Sequence, residues 1–241
     1  MSAFAPETIF QIGALPVTNT LLDTLLVDTL LIGGALYINK KLALIPANPL
    51  QNISESVIET FYSLTESVSQ HAAAKIFPYF MTFFLFILFV NWSGLIPGVG
   101  TIGIKREHEL IPLFRGATSD LNTTLGLALV SAVATHMLSI KTIGIKDYLS
   151  RYFSLNPINL FIGVLEIISE LTKIVSLSFR LFGNIYAGEV VLLTVSSIFA
   201  FVFPLPFLLL EVIVGIVQAL VFSMLTMVFM SILTTSHKEA H

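Results

Sequence analysis

Cysteine is missing from all 241 residues, which removes disulfides, thiolate metal sites and thiol nucleophiles together. Charge is scarce as well: Asp, Glu, Lys and Arg make up 11% of the chain against 55% hydrophobic residues, and the mean hydropathy is +0.90. Soluble domains carry roughly a quarter of their residues charged, so this balance belongs to an integral membrane protein. The net charge of -3 gives no reason to expect nucleic acid. No Lys or Arg precedes Lys40, so the N-terminal MSAFAPETIF has neither the basic region of a signal peptide nor the arginines of a transit peptide. The chain also lacks HExxH, GxSxG, a paired histidine set and a glycine-rich phosphate loop. No metal, no cofactor and no nucleotide site is expected.

What remains is a series of apolar runs. Residues 21–38 form the first, near the length needed to cross roughly 30 Å of hydrocarbon. It carries Asp23, Asp28 and the pair Gly33–Gly34, so it is expected to pack partly on protein, with the two carboxylates solvated near the outer interface. Residues 52–70 alternate polar and apolar at helical spacing and predict an amphipathic helix on the membrane surface, with Ile58, Phe61, Tyr62 and Leu64 on its apolar side. Residues 76–96, free of charge, are the clearest spanning helix, with Pro78 in its first turn and Trp92 at the far interface. Residues 98–119 read as a solvated polar connection. His108 between Glu107 and Glu109 does not converge on a metal, because adjacent helical positions point apart. A further span covers residues 119–140, opened by Ser119 or Asp120 as N-cap and carrying His136 near its other end. A short polar loop with Lys141, Lys146 and Arg151 follows.

The last third is apolar except for Glu166, Glu170, Lys173, Arg180, Glu189 and Glu211, and Phe203-Pro204-Leu205-Pro206 divides it. Its first part, residues 157–202, is about 68 Å long as one helix. It is either one strongly tilted helix or two spans turning at Gly183-Asn184. The second part is a helix over residues 206–234. The chain is thus read as a single all-α membrane domain, 1–241, with about five membrane helices and one surface helix. Lys40, Lys41, Lys75, Lys141, Lys146 and Arg151 fall on one side, which the positive-inside rule makes cytoplasmic together with the C-terminus; the N-terminus is then outside. Lys105, Arg106 and Arg115 count against that orientation.

Ionised side chains at membrane depth are costly and mark ion paths. Arg180 is the extreme case, since a guanidinium does not lose its proton at physiological pH. On a continuous helix Lys173, Ser176, Arg180 and Asn184 share a stripe, with Glu166 close to it. Glu189 turns to the opposite side about 13 Å further along. Glu211 and Gln218 share a face of the final helix, from which Gln218 can oppose Arg180 as a neutral partner.

The segment Ser178–Val190, SFRLFGNIYAGEV, resembles the signature of the a subunit of F-type ATP synthase. FLFILFVNWSGLIPG (84–98), SDLNTTLGLALV (119–130) and VQALVFSMLT (217–226) extend the resemblance over most of the chain. It implies that Arg180 is the family's essential arginine, with Asn184 and Glu189 as companions. Glu211 matches a position held by histidine or glutamate, and Gln218 the arginine's polar partner. Glu166, Lys173 and Ser176 fall in register, whereas Ile174 departs from the Lys-Pro of many members. His136 and Asp120 are added as weaker proton-path candidates. The resemblance further implies a single long tilted helix antiparallel to the last one, curved around a rotor ring of c subunits. It implies b-type peripheral-stalk subunits, the remaining ATP synthase subunits and membrane lipid as partners. Enzymatic activity would belong only to the assembled H+-transporting ATPase. YAGE (186–189) is closer to the bacterial form, which points to a bacterial plasma membrane. A proton-coupled secondary transporter is the alternative, although no repeated halves are visible.

Overall fold

A computed structural model describes residues 7–13, 15–42, 49–96, 102–106, 109–152, 157–198 and 204–235. Among these residues seven α-helices appear in chain order: α1 Asn19–Lys40, α2 Pro49–Val68, α3 Ala73–Ser93, α4 Leu121–Ile143, α5 Ile145–Tyr152, α6 Pro157–Ile198 and α7 Pro204–Thr234. Proline occupies the first position of α2, α6 and α7, where its missing N–H has no intrahelical partner to lose. Thr18 caps α1 by accepting from Leu21 N (3.3 Å), and Asp120 caps α4 by accepting from Asn122 N (3.0 Å). Gly144 ends α4 in the left-handed region at φ 84, a conformation that favours glycine.

α1, α3, α4 and α7 are each long and apolar enough to cross a membrane. α6 is continuous over 42 residues, with Gly183 and Asn184 inside it, so no turn divides it. At about 63 Å it is twice the hydrocarbon thickness. It runs antiparallel to α7: Lys173, early in α6, lies over the ring of Phe229, late in α7, while Gly188 of α6 abuts Glu211 near the start of α7.

The core is built on α3. Ile76, Phe80, Phe83, Ile87 and Val90 are buried at alternating four- and three-residue steps, the spacing of a helix–helix seam. The first four meet Ala219, Phe222, Met227 and Met230 of α7, while Val90 packs with Val27 of α1 and Ala117. α4 joins the bundle through small hydroxyl side chains. Ser131 bonds Thr226 (2.8 Å), Thr124 bonds Ser178 (3.2 Å), and Ser139 donates to Leu233 O (2.6 Å). Such hydrogen bonds hold helices together where lipid removes the hydrophobic drive. α2 packs on α3 through Phe61, Tyr62 and Leu64, while Ile58 stays exposed.

Several expectations change. α3 begins at Ala73, so Pro78 lies in the second turn and not the first. The polar loop after α4 winds into the amphipathic helix α5, which packs so closely on α6 that a side chain at Gly163 would strike the Tyr152 carbonyl. Two antiparallel hairpins flank the bundle: β1 Thr8–Ile12 with β2 Leu15–Thr18, and β3 Gly103–Arg106 with β4 Glu109–Pro112. The break at 199–203, His108 and the C-terminal HKEAH lie outside the described residues.

Asp23 is not solvated. It is 2% exposed and accepts from Ser93 Oγ (2.8 Å) and Ala117 N (3.3 Å). The short turn Ala117–Ser119 folds onto the end of α3, where a Cβ on Gly94 would lie 3.0 Å from Gly116 Cα. α1 is thereby tied to both by one carboxylate. Asp23→Leu, which strands the Ala117 amide, should cost about 1–3 kcal/mol. The change should show as a lower thermal midpoint of the detergent-solubilised complex, while Asp23→Asn stays closer to wild type.

Candidate functional site

Charged side chains gather at two depths along α6. Near one end Glu189 accepts from Arg115, which enters from the connection between β4 and α4 (Nη2–Oε2 3.3 Å). The arginine side chain is only 10% exposed. Both line a cavity of about 420 Å³, together with Glu7, Asn19, Asn91 and Glu211. Glu211 is buried at 5% exposure because α7 crosses α6 at Gly188. A Cβ at Gly188 would overlap the Glu211 carboxyl, so any larger residue there would make that acid shift from its present place.

Toward the other end, α4, α5 and α6 bring together a second group. Glu170 accepts from Lys173 Nζ (2.8 Å) and faces His136 Nε2 (3.8 Å), whose Nδ1 meets the Tyr148 hydroxyl (3.0 Å). Arg151 pairs with Glu166 (3.3 Å) and also donates to Ile232 O (3.3 Å). Burial and the neighbouring Tyr148 push the Tyr152 phenol above its ordinary pKa, so it remains neutral. A separate cleft of about 320 Å³ runs from Lys173 past Thr172 and Ser176 to Arg180, walled by Leu225 and Phe229 of α7.

Glu189 and Glu170 are about 28 Å apart along the helix axis, close to the thickness of a bilayer's hydrocarbon. Arg180 stands about midway. It is exposed on the outer face of α6, flanked by Val175 and Phe179, both also exposed. Among the described residues its hydrogen bond is a long contact to Ser176 Oγ (3.5 Å), and no carboxylate comes within ion-pair distance. Arg115, Arg151 and Lys173 each pair with an acid.

The remaining candidates fall around this axis. Asn184 is exposed one turn beyond Arg180, and Gln218 is half-buried on α7 but forms no hydrogen bond with Arg180. Asp120 serves as the α4 cap and lines neither cavity. His136, Glu166, Lys173 and Ser176 belong to the second group or its cleft. Sequence reasoning passed over Arg115, Glu170 and Gly188 as site residues. Glu170 stands one turn before Lys173, a spacing that signals pairing. Arg115 meets Glu189 across 74 positions and carries no local mark that separates it from Lys105 or Arg106.

Fold and site together define a polytopic helical membrane protein whose longest helix carries an exposed arginine beside one cleft and a carboxylate-lined cavity nearer its other end. Comparison with known sequences narrows this further. Residues 21–231 match the family described as ATP synthase A chain. The chain is 32% identical over 237 residues to ATP synthase subunit a of Moorella thermoacetica, covering 98% of this chain and 100% of the relative. It is 32% identical over 228 residues to subunit a of Legionella pneumophila, covering 95% and 91%. With ATP synthase subunit a 1 of Chlorobium luteolum it shares 32% over 232 residues, 96% of each. The chain belongs to the ATP synthase A chain family.

Crowding at position 188 gives a direct check on how Glu211 is held. Gly188→Ala should displace the carboxyl by about an ångström and reduce proton flux through the assembled complex on the order of ten-fold or more. The double variant Gly188→Ala/Glu211→Asp, with a shorter acid, should recover much of it. Equal flux in wild type and Gly188→Ala vesicles would show that the close crossing has no part in the path.

Proposed function

We propose that this chain is the proton-translocating stator subunit of the membrane sector of an F-type ATP synthase. The observation that carries the reading is Arg180: a permanent cation on an outward apolar face, with no acid from the described part of its own chain. A guanidinium there needs an anion supplied from outside, and a ring of c subunits presenting one membrane-buried carboxylate each would supply it in turn. Opposite Arg180 that carboxylate is stabilised in its ionised form. Facing lipid it must be protonated, because an unpaired buried carboxylate holds its proton.

The two cavities support the assignment of two half-channels. The one lined by Glu189 and Glu211 opens to the outside and delivers protons to the rotor. The cleft between Lys173 and Arg180, whose Lys173 pairs with Glu170, opens to the cytoplasm. Arg180 lies between them and prevents a proton from crossing without rotation. Asn184 and Gln218 line the rotor-facing surface as neutral hydrogen-bonding groups. The electrical driving force is about 2.3 kcal/mol per charge per 100 mV. In this reading the chain handles no nucleotide; b-type stalk subunits hold it stationary, and other subunits carry the ATP chemistry. The family match sets aside the secondary transporter. With the N-terminus outside, the α1–α2 and α4–α5 connections and the C-terminus face the cytoplasm of a bacterial plasma membrane.

Arg180→Ala should abolish ATP-driven proton pumping in inverted vesicles while leaving the complex assembled, and full pumping by that variant would refute the assignment. Glu189→Gln should lower coupled flux by roughly the hundred-fold associated with losing a positioned proton-transfer group, measured by quenching of a pH-sensitive dye.

A further inference from the structure

We propose that Arg115 is a positioning residue for proton entry: it neutralises one of the two neighbouring carboxylates, Glu189 and Glu211, so that the pair holds a single exchangeable proton. The inference rests on the function proposed above and assigns a role to a side chain outside the arginine motif.

Three observations lead to it. First, Arg115 is nine-tenths buried and contacts Glu189 at 3.3 Å, so its charge acts through little water. Second, Glu211 lies over Gly188 and lines the same cavity as Glu189, and among the described residues that line it Arg115 is the one cation. Two adjacent carboxylates do not both stay ionised in a poorly solvated site unless a cation offsets one of them. Third, Arg115 is anchored from outside the helical pair. It arrives from the β4–α4 connection, whose Gly116 backbone is packed against Gly94 and whose Ala117 amide is bonded to Asp23. The cation therefore keeps its place when α6 and α7 bear on the rotor.

The charged groups facing Glu189 are Arg115 from that connection, Glu211 from α7, and Glu7 at the cavity wall ahead of β1. With Arg115 present, the Glu189–Glu211 pair passes one proton inward and accepts the next from the outer solution. Without that cation the pair binds a second proton, and the path stays loaded until the outer solution becomes more alkaline.

The test uses the complete ATP synthase in liposomes, with a potassium diffusion potential as drive and the pH varied on the side of the Glu189 cavity. Arg115→Gln and Arg115→Met should move the flux-against-pH curve about one unit toward alkaline pH, in keeping with the effect of an opposite charge at this range. Arg115→Lys should keep the wild-type curve. Glu189→Gln combined with Arg115→Gln should shift no further than Glu189→Gln alone. An equal fall in flux at every pH, an unmoved curve, or failure of both neutral variants to assemble would make Arg115 a structural residue and overturn the proposal. An inactive Arg180→Ala complex alongside an unmoved Arg115→Gln curve would sink this inference and leave the stator reading intact. Full pumping by Arg180→Ala would sink both.

Discussion

A guanidinium that never discharges, placed halfway along a 42-residue helix on a face of exposed apolar side chains, is the constraint around which the molecule is arranged. Such a charge is tolerable only when water, a polar side chain or an acid reaches it. Ser176 reaches it within the chain, and the cleft from Lys173 leads to it. In the proposed function the acid comes from another subunit. A stator needs that incompleteness: a carboxylate fixed in the same chain would hold Arg180 permanently and leave nothing for a moving partner to exchange.

The surrounding architecture keeps α6 and α7 in place while leaving their outer faces bare. Behind them, α3 gives a hydrophobic seam with α7, and α4 gives a row of hydroxyl contacts to both. These polar contacts are short and directional, which fixes rotation of the helices about their axes better than apolar packing in lipid would. At the far ends the bundle is closed by different means. Asp23 ties α1 to the turn beneath the Glu189 cavity, and Arg151 ties α5 to Glu166 and the last turn of α7.

The separation of the two polar clusters has a mechanical meaning. Each cluster lies about half a membrane from Arg180 along α6, and under the proposed function that distance separates proton entry at Glu189 from exit at Glu170. In the proposed function a rotor carboxylate joins the halves. Helical geometry alone sets this spacing, and the length of α6 follows from it.

Much of this was legible in the chain itself. Apolar runs between polar segments mark α1, α3, α4 and α7, because in lipid every backbone group must bond within its own helix and that demand shows as uninterrupted hydrophobic length. Arg180, Glu189 and Glu211 stand out for the same reason: charge is rare in such runs. Periodicity left open whether Gly183-Asn184 turns the chain, and the tertiary structure closed the question with a continuous α6. Folding alone also decided which charges meet. Arg115 with Glu189, Asp23 with Ser93, His136 with Glu170 and Gly188 under Glu211 join segments far apart in sequence. Composition and local spacing determine where a helix lies and which face is polar. They carry no record of what a neighbouring helix brings against it, since that depends on packing distances that only the folded bundle sets.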